Sequence, residues 1–249
     1  PRLPPMKKRR ADAHVAETLG VSRTKAQALI MAGSVRVGDA PVRKPGQPVD
    51  ATAPVASDEK RPYVSRAAGK LAAALDAWPI RIEGRIMLDV GASTGGFTQL
   101  ALERGARKVV AVDVGTGQLD WKLRKDPRVT VLEGTDIRNL RELPEAADLA
   151  VIDVSFIGLR GVLPATAALL PPQTPVVALF KPQFEVGRAE ASRGKGVIRN
   201  PDTIMTALGD LTAWLSEHGW TVEETMPSPV RGTKGNREQL LRLATPGGS

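Results

Sequence analysis

The 249-residue chain contains no cysteine and only two histidines, His14 and His218. Disulfides, thiolate metal sites and thiol nucleophiles are thereby excluded, no imidazole metal cluster is available, and a Ser-His-Asp triad has little room. Lysine and carboxylate chemistry remains. Asp153 follows the apolar pair Val151-Ile152, and Lys181 directly follows the apolar run Val176–Phe180. Each sits where a predicted strand ends, the edge at which open α/β sheets bind ligands. Lys70 falls on a helix before the first strand of that sheet, and Glu238 opens the last strand. If that last strand runs antiparallel to its neighbours, its beginning lies at the same edge, and all four residues meet in one crevice. A lysine there can act as a base or as a cation beside a forming oxyanion, according to the charges and burial around it.

The elements that must position these groups are legible as apolar runs. Ile86–Val90, Val109–Val112, Val129–Leu132, Leu149–Ile152 and Val176–Phe180 alternate with helical stretches at 98–104, 159–170 and 201–218. Ser65 caps a further helix that runs to about Trp78. Thr221–Met226 and Gln239–Leu243 add two more strands. Short apolar runs between helices imply a mostly parallel sheet covered on both faces. The fold class predicted is α/β: a Rossmann-like, doubly wound, seven-stranded domain, with a small α+β unit ahead of it.

After the first strand comes the turn Gly91-Ala92-Ser93-Thr94-Gly95-Gly96-Phe97. Glycines there free backbone amides at a helix N-terminus for close approach by a ligand. The turn lacks the Gly-x-Gly-x-x-Gly grip on a pyrophosphate and the Lys-Ser/Thr of a Walker loop. Asp113 ends the second strand 22 residues after Gly91, placed to accept hydrogen bonds from both ribose hydroxyls of a nucleoside without phosphates. The run Leu88-Asp89-Val90-Gly91-Ala92-Ser93-Thr94-Gly95-Gly96-Phe97-Thr98 resembles motif I of the FtsJ-like S-adenosylmethionine-dependent methyltransferases. The resemblance implies S-adenosylmethionine as cofactor, held by Asp89, Gly91, Ser93, Thr94, Gly95, Phe97 and Asp113. It also places Asp136 to meet the adenine amino group, while an N-cap for 137–143 is an equal use of that residue. Lys70, Asp153, Lys181 and Glu238 match the Lys-Asp-Lys-Glu tetrad of FtsJ-like RNA 2′-O-methyltransferases. By that resemblance Lys181 binds or deprotonates a ribose 2′-hydroxyl, Asp153 and Glu238 orient the lysines, and Lys70 adds positive field. No metal is implied.

Charge is concentrated at the start. The chain carries a formal +8, and residues 1–66 hold 13 Lys/Arg against 6 Asp/Glu. A basic module for a polyanion, joined to a nearly neutral body, fits that asymmetry. Residues 1–5 read as an appended segment and are set aside. Helices are expected at 11–19, closed by Gly20, and at 23–31, capped by Ser22 and ended by Gly33. A β ribbon follows through Val35–Val37, Pro41–Arg43 and Pro48-Val49. Residues 51–64, rich in Ala, Pro and Ser, read as connecting chain; the first unit is drawn as 6–58, the linker as 59–64 and the second unit as 65–249. Gly20-Val21-Ser22-Arg23, Ala26, Leu29-Ile30 and Gly33-Ser34-Val35-Arg36-Val37-Gly38 resemble the S-four-type (αL-like) RNA-binding domain.

Joined to the FtsJ-like body, with Tyr63-Val64-Ser65-Arg66 at the junction and Lys181-Pro182-Gln183-Phe184-Glu185 after strand five, this module makes the chain similar to the TlyA family of rRNA 2′-O-methyltransferases, also called haemolysin A-like. The resemblance implies cytidine as target, in large-subunit and also small-subunit rRNA, with ribosomal RNA or subunits as partner. Arg23, Lys25, Arg36, Arg43, Lys44, Arg66, Arg188, Arg193 and Lys195 are the candidate RNA contacts. Two other readings carry the same modules: a ribosome-assembly factor without strong catalysis, and a haemolysin. No uninterrupted apolar stretch approaches the length of a membrane span and no secretory signal is seen, so a cytoplasmic monomer is expected.

Overall fold

The structure, a computed structural model, describes residues 8–31, 33–57, 63–187, 194, 196–232 and 234–248. The chain divides into two compact units, Pro1–Pro62 and Tyr63–Ser249.

In the first unit, strand β1 (Lys8–Arg10) leads into α1 (Ala11–Leu19), and α2 (Arg23–Met31) follows. Gly20 takes a left-handed conformation (φ 65°) and returns its N–H to Ala16 O, ending α1 where the sequence predicts. Strands β2 (Val35–Val37), β3 (Ala40–Pro41), β4 (Pro48–Asp50) and β5 (Val55–Ser57) complete the unit. Two of these strands correct the sequence reading. Lys8–Arg10 is a strand paired with β4, and Val55–Ser57, assigned to the connecting chain, pairs antiparallel with β2 as an integral part of the sheet. Ala11, Val15, Ala26, Leu29, Ile30, Val35 and Val37 are among the residues that close a small core beneath them.

The second unit holds α3 (Ala68–Ala77), β6 (Ile86–Val90), α4 (Gly96–Glu103), β7 (Lys108–Asp113), α5 (Trp121–Arg124), β8 (Val129–Glu133), β9 (Leu149–Ile152), α6 (Leu163–Ala167), β10 (Pro175–Phe180), α7 (Pro182–Glu185), α8 (Pro201–Glu217), β11 (Thr221–Pro227) and β12 (Gln239–Ala244). The seven strands lie in the order β11-β12-β10-β9-β6-β7-β8. Strands β6 to β10 are parallel to their neighbours, whereas β12 runs antiparallel to β10, with Phe180 opposite Gln239. This is a Rossmann-like, doubly wound architecture, with a topological switch between β6 and β9.

Side chains alternate across each strand. Ile86, Leu88 and Val90 face a core that includes Leu163 of α6 and Leu211 of α8, while Met87 and Val151 face Leu71 of α3 and Leu100 of α4. Both sheet faces are thus dry, which explains the continuous apolar runs. The segment expected as one helix over 159–170 is a 3-10 turn (Leu159–Gly161) followed by the short α6, with Pro164 in the first turn of α6. Ser65 accepts from Ala67 N and so closes the turn before α3, which starts at Ala68. Among the described residues no helix is long and apolar enough to cross a membrane.

Candidate functional site

The parity that buries Met87 and Val151 fixes where four ionisable residues emerge. Asp153 lies two residues beyond Val151, Lys181 two beyond Leu179, and Glu238 two before Leu240, and all three apolar residues belong to the core beneath α3 and α4. These side chains therefore rise from one sheet face at one edge. Lys70, from α3, comes down onto that face. Its Nζ donates to Glu238 Oε2 at 2.7 Å and lies 3.6 Å from Asp153 Oδ2. Lys181 Nζ is paired with Asp153 Oδ1 at 2.5 Å, off the angle of a hydrogen bond, and donates to Ser155 Oγ at 3.1 Å. The result is a continuous chain, Glu238–Lys70–Asp153–Lys181, of two cations and two anions. Lys70, Lys181 and Glu238 are 7%, 8% and 3% exposed. Such buried charges persist only when mutually compensated. Gly232 makes room for this chain, since a Cβ there would lie 2.5 Å from Glu238 Oε1.

Beside Asp153 a cleft of about 500 Å³ opens at the carboxyl ends of β6, β7 and β9, the switch point of the sheet. Gly91, Ser93, Asp113, Asp136, Asp153 and Phe156 are among its lining residues. Gly91 has φ 84°, and a Cβ on it would fall 2.7 Å from Asp153 O, so only glycine lets the turn pass this close to β9. Asp113 is half-buried; it accepts from Ser93 N at 2.8 Å and Gly115 N at 2.7 Å, which fixes its carboxylate at the cleft wall. Asp136 caps the 3-10 turn Ile137–Asn139 and receives the Arg138 guanidinium as a fork. That pairing holds its carboxyl below the usual range. The capping role of Asp136 is therefore realised, alongside its place on the cleft wall.

The other motif I residues stand behind the cleft. Thr94, Gly95, Phe97 and Asp89 do not line it. Phe97 is 3% exposed and packs in the core, and Gly95 takes φ 95° against Leu119 and Leu123 as α4 begins. Asp89 is fully buried: Oδ2 accepts from Thr98 Oγ1 at 2.6 Å and Oδ1 has no hydrogen-bond partner. Burial, reinforced by the charges of Asp153 and Asp113 and opposed by Thr98, pushes its carboxyl up to about 7.

One supporting residue escaped sequence reasoning. Glu133, at the end of β8, accepts from the backbone N–H groups of Gly117, Gln118 and Leu119 at 2.7, 2.9 and 2.9 Å and from Arg124 at 2.6 Å. The Leu119 amide, the single Arg124 contact and the other two amides draw its carboxyl down to about 2. Glu133 thereby shapes the loop that brings Gln118 to the cleft. A carboxylate ending a third parallel strand, next to Asp113 on the second, was the available signal.

The cleft and its carboxylate wall suit a nucleoside: Asp113 is anchored by backbone donors yet still faces the opening, where ribose hydroxyls can donate to it. Among the described residues no group of three or more His, Asp or Glu is placed to hold a metal ion.

Of the candidate RNA contacts, Arg36, Arg43, Lys44 and Arg66 are exposed. Arg36 donates to Asp39 O, and Arg23 is engaged by Asp12. Arg188, Arg193, Lys195 and the side chain of Lys25 lie outside the described residues.

Comparison with known proteins agrees with this geometry. Residues 63–244 match the FtsJ-like methyltransferase family and residues 9–55 match the S4 domain. The chain is 46% identical, over 95% of its length and 90% of the relative's, to the 16S/23S rRNA (cytidine-2′-O)-methyltransferase TlyA of Mycobacterium tuberculosis. It is 37% identical, over 94% of its length and 99% of the relative's, to Hemolysin A of Brachyspira hyodysenteriae. A hemolysin-named protein from Streptococcus thermophilus has a solved structure that superposes with a TM-score of 0.75 at 39% identity, covering 97% of this chain and 90% of that one.

Proposed function

Since the chain belongs to the FtsJ-like methyltransferase family, in its TlyA branch with an S4 domain ahead of the catalytic body, we propose that it methylates the 2′-hydroxyl of a cytidine in ribosomal RNA of the large and also the small subunit. The observation that carries this reading is the Glu238–Lys70–Asp153–Lys181 chain opening beside a nucleoside-sized cleft.

S-adenosylmethionine supplies a methyl group on a sulfonium centre. Asp113 would take its ribose hydroxyls, Gly91 and Ser93 the turn-facing side of the nucleoside, and Asp136 its adenine end. The protein's remaining task is to orient the RNA hydroxyl and manage its proton. An ammonium has three N–H groups. Lys181 is held by its ion pair with Asp153 and donates to Ser155, which leaves an N–H for the ribose oxygen. In the transfer the methyl–sulfur bond would break to leave a neutral thioether and the hydroxyl proton would be released to solvent at the open cleft, while Lys181 stabilises the negative charge that develops on the oxygen. Lys70 does not reach outward in the same way, because it donates to Glu238 and faces Asp153; it keeps Asp153 aimed at Lys181. The excluded water around these groups strengthens each interaction. An rRNA substrate places the enzyme in the cytoplasm, where ribosomes assemble.

Mapping of 2′-O-methyl groups in rRNA from cells with and without the gene tests the assignment. Loss of methylation at specific cytidines on deletion is expected; an unchanged map would refute it.

A further inference from the structure

The first unit contains a side-chain cluster that neither the methyl-transfer site nor its motifs use. Asp12, near the start of α1, is fully buried yet ionised, and three long side chains converge on it. Arg10 reaches it through Nε at 3.1 Å and Nη2 at 3.0 Å. Arg23, from α2, reaches it through Nε at 3.1 Å and Nη2 at 3.3 Å. Gln27, one turn further along α2, donates to Oδ2 at 3.0 Å. Both guanidiniums nonetheless remain more than half exposed, at 57% and 55% of their side-chain surface. Arg10 is also confined from its other side, where a Cβ on Gly46 would come within 3.4 Å of Nη1.

A guanidinium offers five N–H donors in a planar fork. Here each spends its Nε edge on the buried carboxylate, so its remaining donors point away from Asp12. Two such groups on one anion carry a net positive charge, and their separation is set by a rigid carboxylate instead of by mobile surface chains. That arrangement suits the oxygens of a phosphodiester, which guanidinium forks can grip in a bidentate way. Lys8 stands exposed on the adjoining strand β1 and adds long-range attraction, whereas Arg9 there is paired with Glu17. We propose that Asp12 is a positioning residue for RNA, holding Arg10 and Arg23 as a paired clamp on the phosphate backbone; this rests on the reading of the first unit as an RNA-binding domain.

The sign of one substitution separates positioning from simple electrostatics. Asp12→Asn removes a negative charge from a basic face, so charge alone predicts tighter binding. Positioning predicts weaker binding, because a neutral amide cannot accept from two forks. The measurement is filter binding of deproteinised large-subunit rRNA to the full-length protein across a salt series, with thermal melting of each variant alongside. Expected are a loss of about fivefold or more in affinity for Asp12→Asn, and a similar loss for the charge-preserving pair Arg10→Lys with Arg23→Lys. Arg10→Gln should also lower the slope of log affinity against log salt by about one. The lysine pair keeps the test decisive where Asp12→Asn fails to fold. Unchanged or tighter binding in a folded variant overturns the clamp, as does a fall in melting temperature without loss of affinity. Absence of RNA binding by the unaltered protein instead overturns the reading on which the clamp rests.

Discussion

Glu238 and Lys70 are two neighbours in space from opposite ends of the catalytic body, 2.7 Å apart and nearly without solvent. Replacing Glu238 by Gln leaves Lys70 with Asp153 as its only anionic partner among the described residues, and that carboxylate must then serve two ammonium groups. We expect methyl transfer to fall by at least about 100-fold with the protein folded and destabilised by about 3 kcal/mol, the cost of unbalancing a buried ion pair; single-turnover rates and urea unfolding measure the two effects. Asp89 acts on stability through its proton. Its carboxyl is raised in the folded state to about 7, above the ordinary aspartate value, so the folded protein binds the proton more tightly. The resulting stability is complete below about pH 4, declines as pH rises toward 7 and is absent above it. Asp89→Asn should flatten this decline, which amounts to at most about 4 kcal/mol because each tenfold gain in proton affinity contributes about 1.4 kcal/mol. Urea unfolding of both proteins at pH 4.5, 6 and 8 reads the difference; parallel profiles would contradict the assignment. The tetrad was legible at this scale because strand ends and apolar runs announce Asp153 and Lys181. The orphaned oxygen of Asp89 was not, since burial depends on α3 and α4 packing over the strand.

Among the elements, the turn after β6 and the loop after β7 decide how the cleft is shaped. Gly91→Ala would drive a Cβ to 2.7 Å from Asp153 O at a backbone angle of φ 84°. Strain of this kind costs about 1–3 kcal/mol. Cofactor affinity should fall by at least about tenfold, as read by isothermal titration with S-adenosylmethionine. Glu133→Gln is expected to weaken the same affinity by about tenfold without touching the ligand, because three amides and Arg124 lose a charged acceptor. Strands β6 and β9 were readable to the residue, since burial on both faces leaves an unbroken apolar run. Strands β1 and β5 were not. Each has only three residues, Lys8–Arg10 is exposed throughout, and Val55–Ser57 lies among turn-forming residues, so pairing partners elsewhere in the chain define them. The 3-10 turn at Leu159–Gly161 is likewise a product of tertiary context, with Glu185 of α7 accepting from Leu159 N at 2.6 Å.

For the whole molecule, two units divide the work that the charge asymmetry suggests. On the proposed function the basic first unit would carry phosphate attraction, which decays with salt, whereas the second unit holds a neutral, self-compensated charge chain. Raising salt should therefore weaken rRNA binding steeply while leaving S-adenosylmethionine affinity nearly unchanged. A parallel loss of both would contradict that division. The most direct test of the account is transfer of tritiated methyl groups from S-adenosylmethionine to ribosomal RNA by the intact protein and by Lys181→Ala. Label in the 2′-O-methylcytidine fraction is expected for the intact protein, with transfer lost in the variant while cofactor binding persists. Transfer by Lys181→Ala at the unaltered rate would contradict it.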